Sequence, residues 1–204
     1  MPRTAPAPAK LTRPRLYDAV PRPRLFARLD DARTRPVVWI SAPPGSGKST
    51  LVASYVEARR LPHLWYHVDA GDNDPAAFLH YLRLAAIQLV GNRAASLPVF
   101  TAERQQDLPR FSRTLCRELF ALLPNPALVV LDNFDEARAS ALQRTAFAQA
   151  LEEIPEGISV VVLARSAPPP ELARLAAGRR IARIEPAELR CTSDETLALL
   201  GGAV

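Results

Sequence analysis

Two rhythms of apolar residues alternate along this chain. Short apolar-rich runs recur as PVVWIS (36–41), HLWYHV (63–68), ALVVLD (127–132), ISVVVLA (158–164) and RRIARIE (179–185), and they predict five strands. Between them the spacing changes to that of helices. Residues 48–60 put Leu51, Val52, Tyr55 and Val56 on one side, and 75–90 repeat the pattern with Phe78, Leu79, Leu82, Ala85, Ala86 and Leu89. Phe111, Leu115, Leu119 and Leu122 predict a helix over 109–123, and a further one over 137–153 ends at Pro155 and Gly157. Thr192 and Ser193 suit the cap of a last helix with Glu195 in its first turn. Pro-rich 1–14 reads as an extended lead-in, and APPPEL (167–172) as a turn into a short helix. Strands apolar on both faces, alternating with helices, predict an α/β fold with a parallel sheet covered on both sides.

One junction in this series carries chemistry. SAPPGSGKST (41–50) follows the first strand and opens the first long helix, the order a phosphate-binding loop requires. The backbone N–H groups of Gly45, Ser46, Gly47, Lys48 and Ser49 can converge on a phosphate, where the helix dipole also favours an anion. Lys48 would then bridge the β- and γ-phosphates and the Ser49 hydroxyl would ligate Mg²⁺. Pro44 and Thr50 flank these groups. Ala42 stands where the strict pattern has its first glycine, and Pro43 after it favours extended dihedrals that alanine adopts without strain.

LVVLDNFDEA (128–137) runs as a buried strand that ends on Asp132, a candidate to hold Mg²⁺ directly or through water. The next residue, Asn133, is an amide, which can orient a water but cannot take a proton from it. Asp135 and Glu136 are near enough in sequence to supply a base. The fourth strand ends in VVVLARS, so Arg165 arrives at the same sheet edge, where a guanidinium can read a γ-phosphate. These parts predict nucleotide binding with slow hydrolysis.

Composition narrows the setting. The chain has 204 residues and a formal charge of +5, but residues 1–36 alone hold Lys10 and eight arginines against Asp18, Asp30 and Asp31. The rest is close to neutral, which argues against a nucleic-acid-binding face. Cys116 and Cys191 share no metal or redox spacing, consistent with a reducing, cytoplasmic setting. No apolar run reaches the ~20 residues of a membrane span. His63 and His67 fall in a strand without the glutamate of a zinc helix, and DAGDNDP (69–75) lacks the calcium-loop order, so its carboxylates read as caps. Lys10 and Lys48 are the only lysines.

The succession KLTRPRLYDAVPRPRLFARLD (10–30), SAPPGSGKSTLVASYV, WYHVDAGDNDPAAFLHYL (65–82), LVVLDNFDEA, VVVLARSAPPPEL and IEPAELRCTSDETLALL (184–200) resembles the nucleotide-binding domain of the large ATP-dependent LuxR-type activators. These are the MalT-like members of the STAND class of signalling ATPases. The resemblance implies a P-loop NTPase core (ASCE/STAND type) of five parallel strands in the order 5-1-4-3-2, with ATP or ADP and Mg²⁺ as cofactors. It makes Lys48 and Ser49 the phosphate-loop residues, Asp132 the Mg²⁺ aspartate and Arg165 the γ-phosphate sensor. Val20, Pro21 and Arg22 match the stretch against the adenine, which divides the chain into a lead-in (1–35) and a core (36–204). The family continues into lid, sensor and DNA-binding parts beyond a segment of this length, so the resemblance implies self-association in the ATP state but no direct DNA binding by this segment. Asn133 departs from members with a second carboxylate. The alternative is a stand-alone P-loop kinase or NTPase with a small acceptor, for which RLAAGRR (174–180) is the candidate lid.

Overall fold

The computed structural model describes residues 8–17 and 19–201. Its five strands are β1 (Val37–Ser41), β2 (His63–His67), β3 (Ala127–Asp132), β4 (Ile158–Ala164) and β5 (Ile181–Ile184). All pair in parallel in the order β2-β3-β4-β1-β5, which read from the other edge is the expected 5-1-4-3-2. The order reverses direction around β1, and in open α/β sheets ligands bind at the carboxyl ends of the strands beside such a reversal.

Strand alternation sorts the core into two layers. Val38 and Ile40 of β1, with Val130 and Val161, face helices α1 (Pro23–Ala32) and α2 (Lys48–Arg59). Val37 and Trp39, with Val129 and Val162, face α3 (Pro75–Val90), α4 (Leu108–Leu122) and α5 (Ala141–Glu152). Each fully buried aliphatic or aromatic side chain stabilises the fold by about 1.5–3 kcal/mol. Short α6 (Ala173–Ala177) precedes β5, and α7 (Ser193–Gly201) closes the series.

The pattern of strands and helices is as expected, with two differences. Residues 23–32 form α1 instead of extending the lead-in. Pro23 sits at the start of the helix, where its fixed φ fits and its missing N–H is not needed. Leu25, Phe26, Leu29 and Ala32 then form a buried stripe against α2. Helix α5 begins at 141, not 137, because the Arg138 N–H is held by the Asn73 side chain. Ser140 and Gln143 then form the capping box. Residues 1–7, part of the expected lead-in, lie outside the described residues.

Candidate functional site

Residues 41–50 leave β1 and turn into α2 through a loop fixed by its backbone. Gly45 and Gly47 both have φ of +77°, the left-handed region. A Cβ would meet nothing within 4 Å at either, so the dihedral and not the space calls for glycine. Ala42 is not among the residues with positive φ, and its N–H donates to Ala164 O, continuing the β1–β4 ladder. Lys48 Nζ donates to Ala42 O (2.6 Å) and Pro43 O (3.0 Å), so the ammonium lies inside the curl of the loop. Burial lowers its pKa from the ordinary value, against the opposing pull of Asp132 and Asp135.

Strand β3 brings Asp132 to this loop. Its carboxylate is buried and accepts the Ser49 hydroxyl at 2.7 Å. The register of β2 on β3 puts His67 directly opposite Asp132, and its Nδ1 stands 3.6 Å from the other carboxylate oxygen. Ser49 and Asp132 thus present two hard oxygen ligands beside the phosphate loop. No cluster of three or more His, Cys, Asp or Glu ligands exists among the described residues. This pair suits Mg²⁺, which keeps waters and phosphate oxygens as its other ligands, better than a metal needing an all-protein cage.

Beyond Asp132 the chain is braced. Asn133 adopts φ of +62°, a conformation that asparagine tolerates, and its amide group donates to Val68 O and accepts from Arg165. The Asp135 carboxylate accepts from the Arg165 N–H and the Ser166 hydroxyl. The Arg165 guanidinium pairs with Glu136. Both candidate bases are therefore held by donors from the end of β4. Trp39 Nε1 donates to Ser166 O at 2.9 Å, tying this knot to the core.

Pro44 to Thr50 line a 420 Å³ cleft with His67, Asp132, Asn133, Asp135 and Arg165. It continues past Gly45–Gly47 into a second cleft of 580 Å³, where Val20, Phe26, Leu51, Pro186 and Leu189 give an apolar wall. Val20 and Arg22 border this second cleft, whereas Pro21 is exposed and is not part of its lining. Arg22 acts as a clamp: its guanidinium donates to Leu189 O, Arg190 O and Glu195. Arg24 joins the same carboxylate, and Arg22, chiefly, lowers the Glu195 pKa to about 2.

Two residues gain roles that spacing did not suggest. His67, dismissed as a zinc ligand, stands at the phosphate cleft; its place becomes visible only through strand register. Lys10 binds Asp69 (2.9 Å) and Asp72 (3.0 Å) and lies over the Tyr81 ring, fastening residues 9–11 to the β2–α3 loop. Asp72 also accepts from Tyr66, while Asp69 and Asp74 cap helical turns as expected. The scarcity of lysine was the available signal for Lys10. RLAAGRR is no lid. It leads into the amino end of β5, with Arg180 on Glu152 O, at the sheet edge opposite the phosphate loop.

A family model described as Nephrocystin 3, N-terminal, matches residues 22–165. The HTH-type transcriptional regulator MalT of Cronobacter sakazakii is 33% identical over 92% of this chain and 21% of its own length. That of Vibrio cholerae is 35% identical over 79% of this chain and 18% of its own length. The chain therefore spans about a fifth of these curated relatives. Among solved structures, a signal transduction ATPase with numerous domains, carrying a tetratricopeptide repeat sensor, from Pyrococcus horikoshii matches with TM-score 0.56. It is 16% identical over 93% of this chain and 26% of that chain, and it supports the P-loop NTPase fold. No helix among the described residues is long and apolar enough to cross a membrane.

Proposed function

The chain belongs to the Nephrocystin 3, N-terminal family, and from that premise we propose that it is the ATP-binding switch domain of a MalT-like transcriptional regulator. Its ligands are ATP or ADP with Mg²⁺, its setting is the cytoplasm, and its output is a change of conformation and of self-association. DNA binding belongs to another part of the parent protein. The observation that carries this reading is the bond from Ser49, at the start of α2, to the buried Asp132 of β3.

The residues divide the work by position. Backbone N–H groups of Gly45–Ser49 face the phosphates, with Lys48 neutralising their charge. Ser49 and Asp132 hold the cation, whose chemistry is to offset the charge of the β- and γ-phosphate oxygens. The apolar second cleft takes the base against Val20 and Leu189. Arg165 reads the γ-phosphate, and to do so it exchanges Glu136 for a phosphate oxygen. That exchange loosens the knot of Asp135, Glu136 and Ser166 at the ends of β3 and β4, which gives the bound nucleotide a mechanical consequence. Asn133 after Asp132 cannot take a proton, and Asp135 stays engaged by the Arg165 N–H and the Ser166 hydroxyl when the guanidinium leaves Glu136, so hydrolysis is slow, below ~1 s⁻¹.

A small-molecule kinase is less well supported, because RLAAGRR lies away from the phosphates. Titration with a fluorescent ATP analogue tests the proposal. Lys48→Ala is expected to weaken binding by about 30-fold or more while circular dichroism stays that of the folded protein. Undiminished affinity in that variant sinks the reading.

A further inference from the structure

The sheet face away from the phosphate loop's own helix holds a separate cavity. It measures 110 Å³ and lies between α3, α4, α5 and the sheet, with walls formed by Leu79, Leu119, Leu131, Phe134, Ala146 and Phe147. Its exposed lining is almost wholly apolar, and Asp72, Ser112, Gln143 and Arg144 also border it. There Gln143 Nε2 donates to Asn73 O at 2.7 Å, joining the start of α5 to the β2–α3 loop. The volume is of the order of the ~150 Å³ apolar cavity known to stay dry and to admit benzene. Water has few partners on such walls, whereas an uncharged ring meets mostly carbon.

The position of Phe134 gives this cavity a connection. Phe134 follows Asp132 and Asn133 directly. Its ring lies 4.7 Å from Phe147 on the cavity side and 5.6 Å, edge-on, from Trp39 on the other. Trp39 in turn holds Ser166 O, beside the Arg165–Glu136 pair. We propose that this cavity is a binding site for a small uncharged aromatic or alkyl ligand, and that its occupancy is felt through Phe134 at the phosphate site. The second half of this statement rests on the nucleotide-binding reading, and the first does not.

Thermal unfolding of the whole chain with saturating benzene tests the site. A ligand bound only by the folded state raises Tm, so a rise is expected for the native sequence and none for Ala146→Leu, whose extra methyl groups take the space. Absence of a rise, or an equal rise in the variant, overturns the site. If Ala146→Leu does not fold, crystals soaked with iodobenzene decide: iodine beside Phe134 and Leu119 supports the site, and iodine found only elsewhere overturns it. For the connection, saturating benzene is expected to change the affinity for a fluorescent ATP analogue by about fivefold or more. Unchanged affinity with the Tm rise intact overturns the connection and leaves nucleotide binding standing. Failure to bind the analogue even without benzene overturns the connection and the nucleotide reading together, while the Tm result still decides the cavity.

Discussion

The phosphate half and the base half of the cleft are built in opposite ways. The phosphate half is mostly one decapeptide, shaped by two left-handed glycines and completed by single residues from neighbouring strands. The base half joins the two ends of the domain: residues 19–26 meet residues 186–191, fastened by Arg22 and Arg24 on Glu195. The first has its geometry set by near neighbours in the chain. The second is held by contacts remote in sequence: the Arg22 and Arg24 clamp on Glu195, the Arg28–Glu188 pair, and Leu189 buried in the same core layer as Leu25 and Phe26. In the proposed switch, the local half would be the fixed grip and the long-range half the part that moves.

Substitutions separate the halves. The largest effect after loss of Lys48 is expected from Asp132→Ala, which removes both a cation ligand and the partner of Ser49. Mg²⁺-dependent affinity should fall by about 10- to 100-fold in nucleotide titrations with and without the metal. Affinity that still responds to Mg²⁺ as in the native protein would mean that another residue holds the cation. Arg165→Ala should act on preference more than on affinity, lowering the ATP-to-ADP ratio of binding constants by about tenfold. An unchanged ratio would remove Arg165 from the reading of the γ-phosphate.

Glu195→Gln should do least to affinity and should act on stability, by about 1–2 kcal/mol in denaturant titrations, because Arg22 loses its carboxylate. Its effect has a pH signature. Glu195 titrates at about 2 in the folded protein against an ordinary 4.5, so its contribution is complete above pH 4.5 and is lost as pH falls towards 2. The native protein should therefore lose stability more steeply across that window than Glu195→Gln. Parallel pH profiles would show that the clamp is not charged as described. A collapse of nucleotide affinity in Glu195→Gln would show the two halves to be one unit.

The sequence was readable wherever structure depends on near neighbours. Strand runs, helical spacing and the glycine loop each express a preference set within a turn or two of chain, and they gave the sheet order once the resemblance was added. Helix α1 was legible too, in Leu25, Phe26 and Leu29, but its prolines drew the reading towards extended chain. Pro23 at the first helical position shows why a proline count misleads without its place. His67 was hidden for a different reason. Its partner is 65 residues away, and only the β2–β3 register brings the two to one level. The engagement of Asp135 and Glu136 was equally invisible, since their donors, Arg165 and Ser166, come from just beyond β4.

By itself, then, the order of residues determined the alternating elements, the glycine turn at Gly45–Ser49 and the carboxylate at the end of β3. Tertiary structure alone decided which polar side chains meet: Lys10 with Asp69 and Asp72, Arg22 with Glu195, Arg165 with Glu136, and His67 beside Asp132. The reason is range. Backbone dihedrals and side-chain periodicity are fixed by adjacent residues. A hydrogen bond or ion pair needs two groups within about 3 Å, a condition that only the packed sheet can impose on residues remote in the chain.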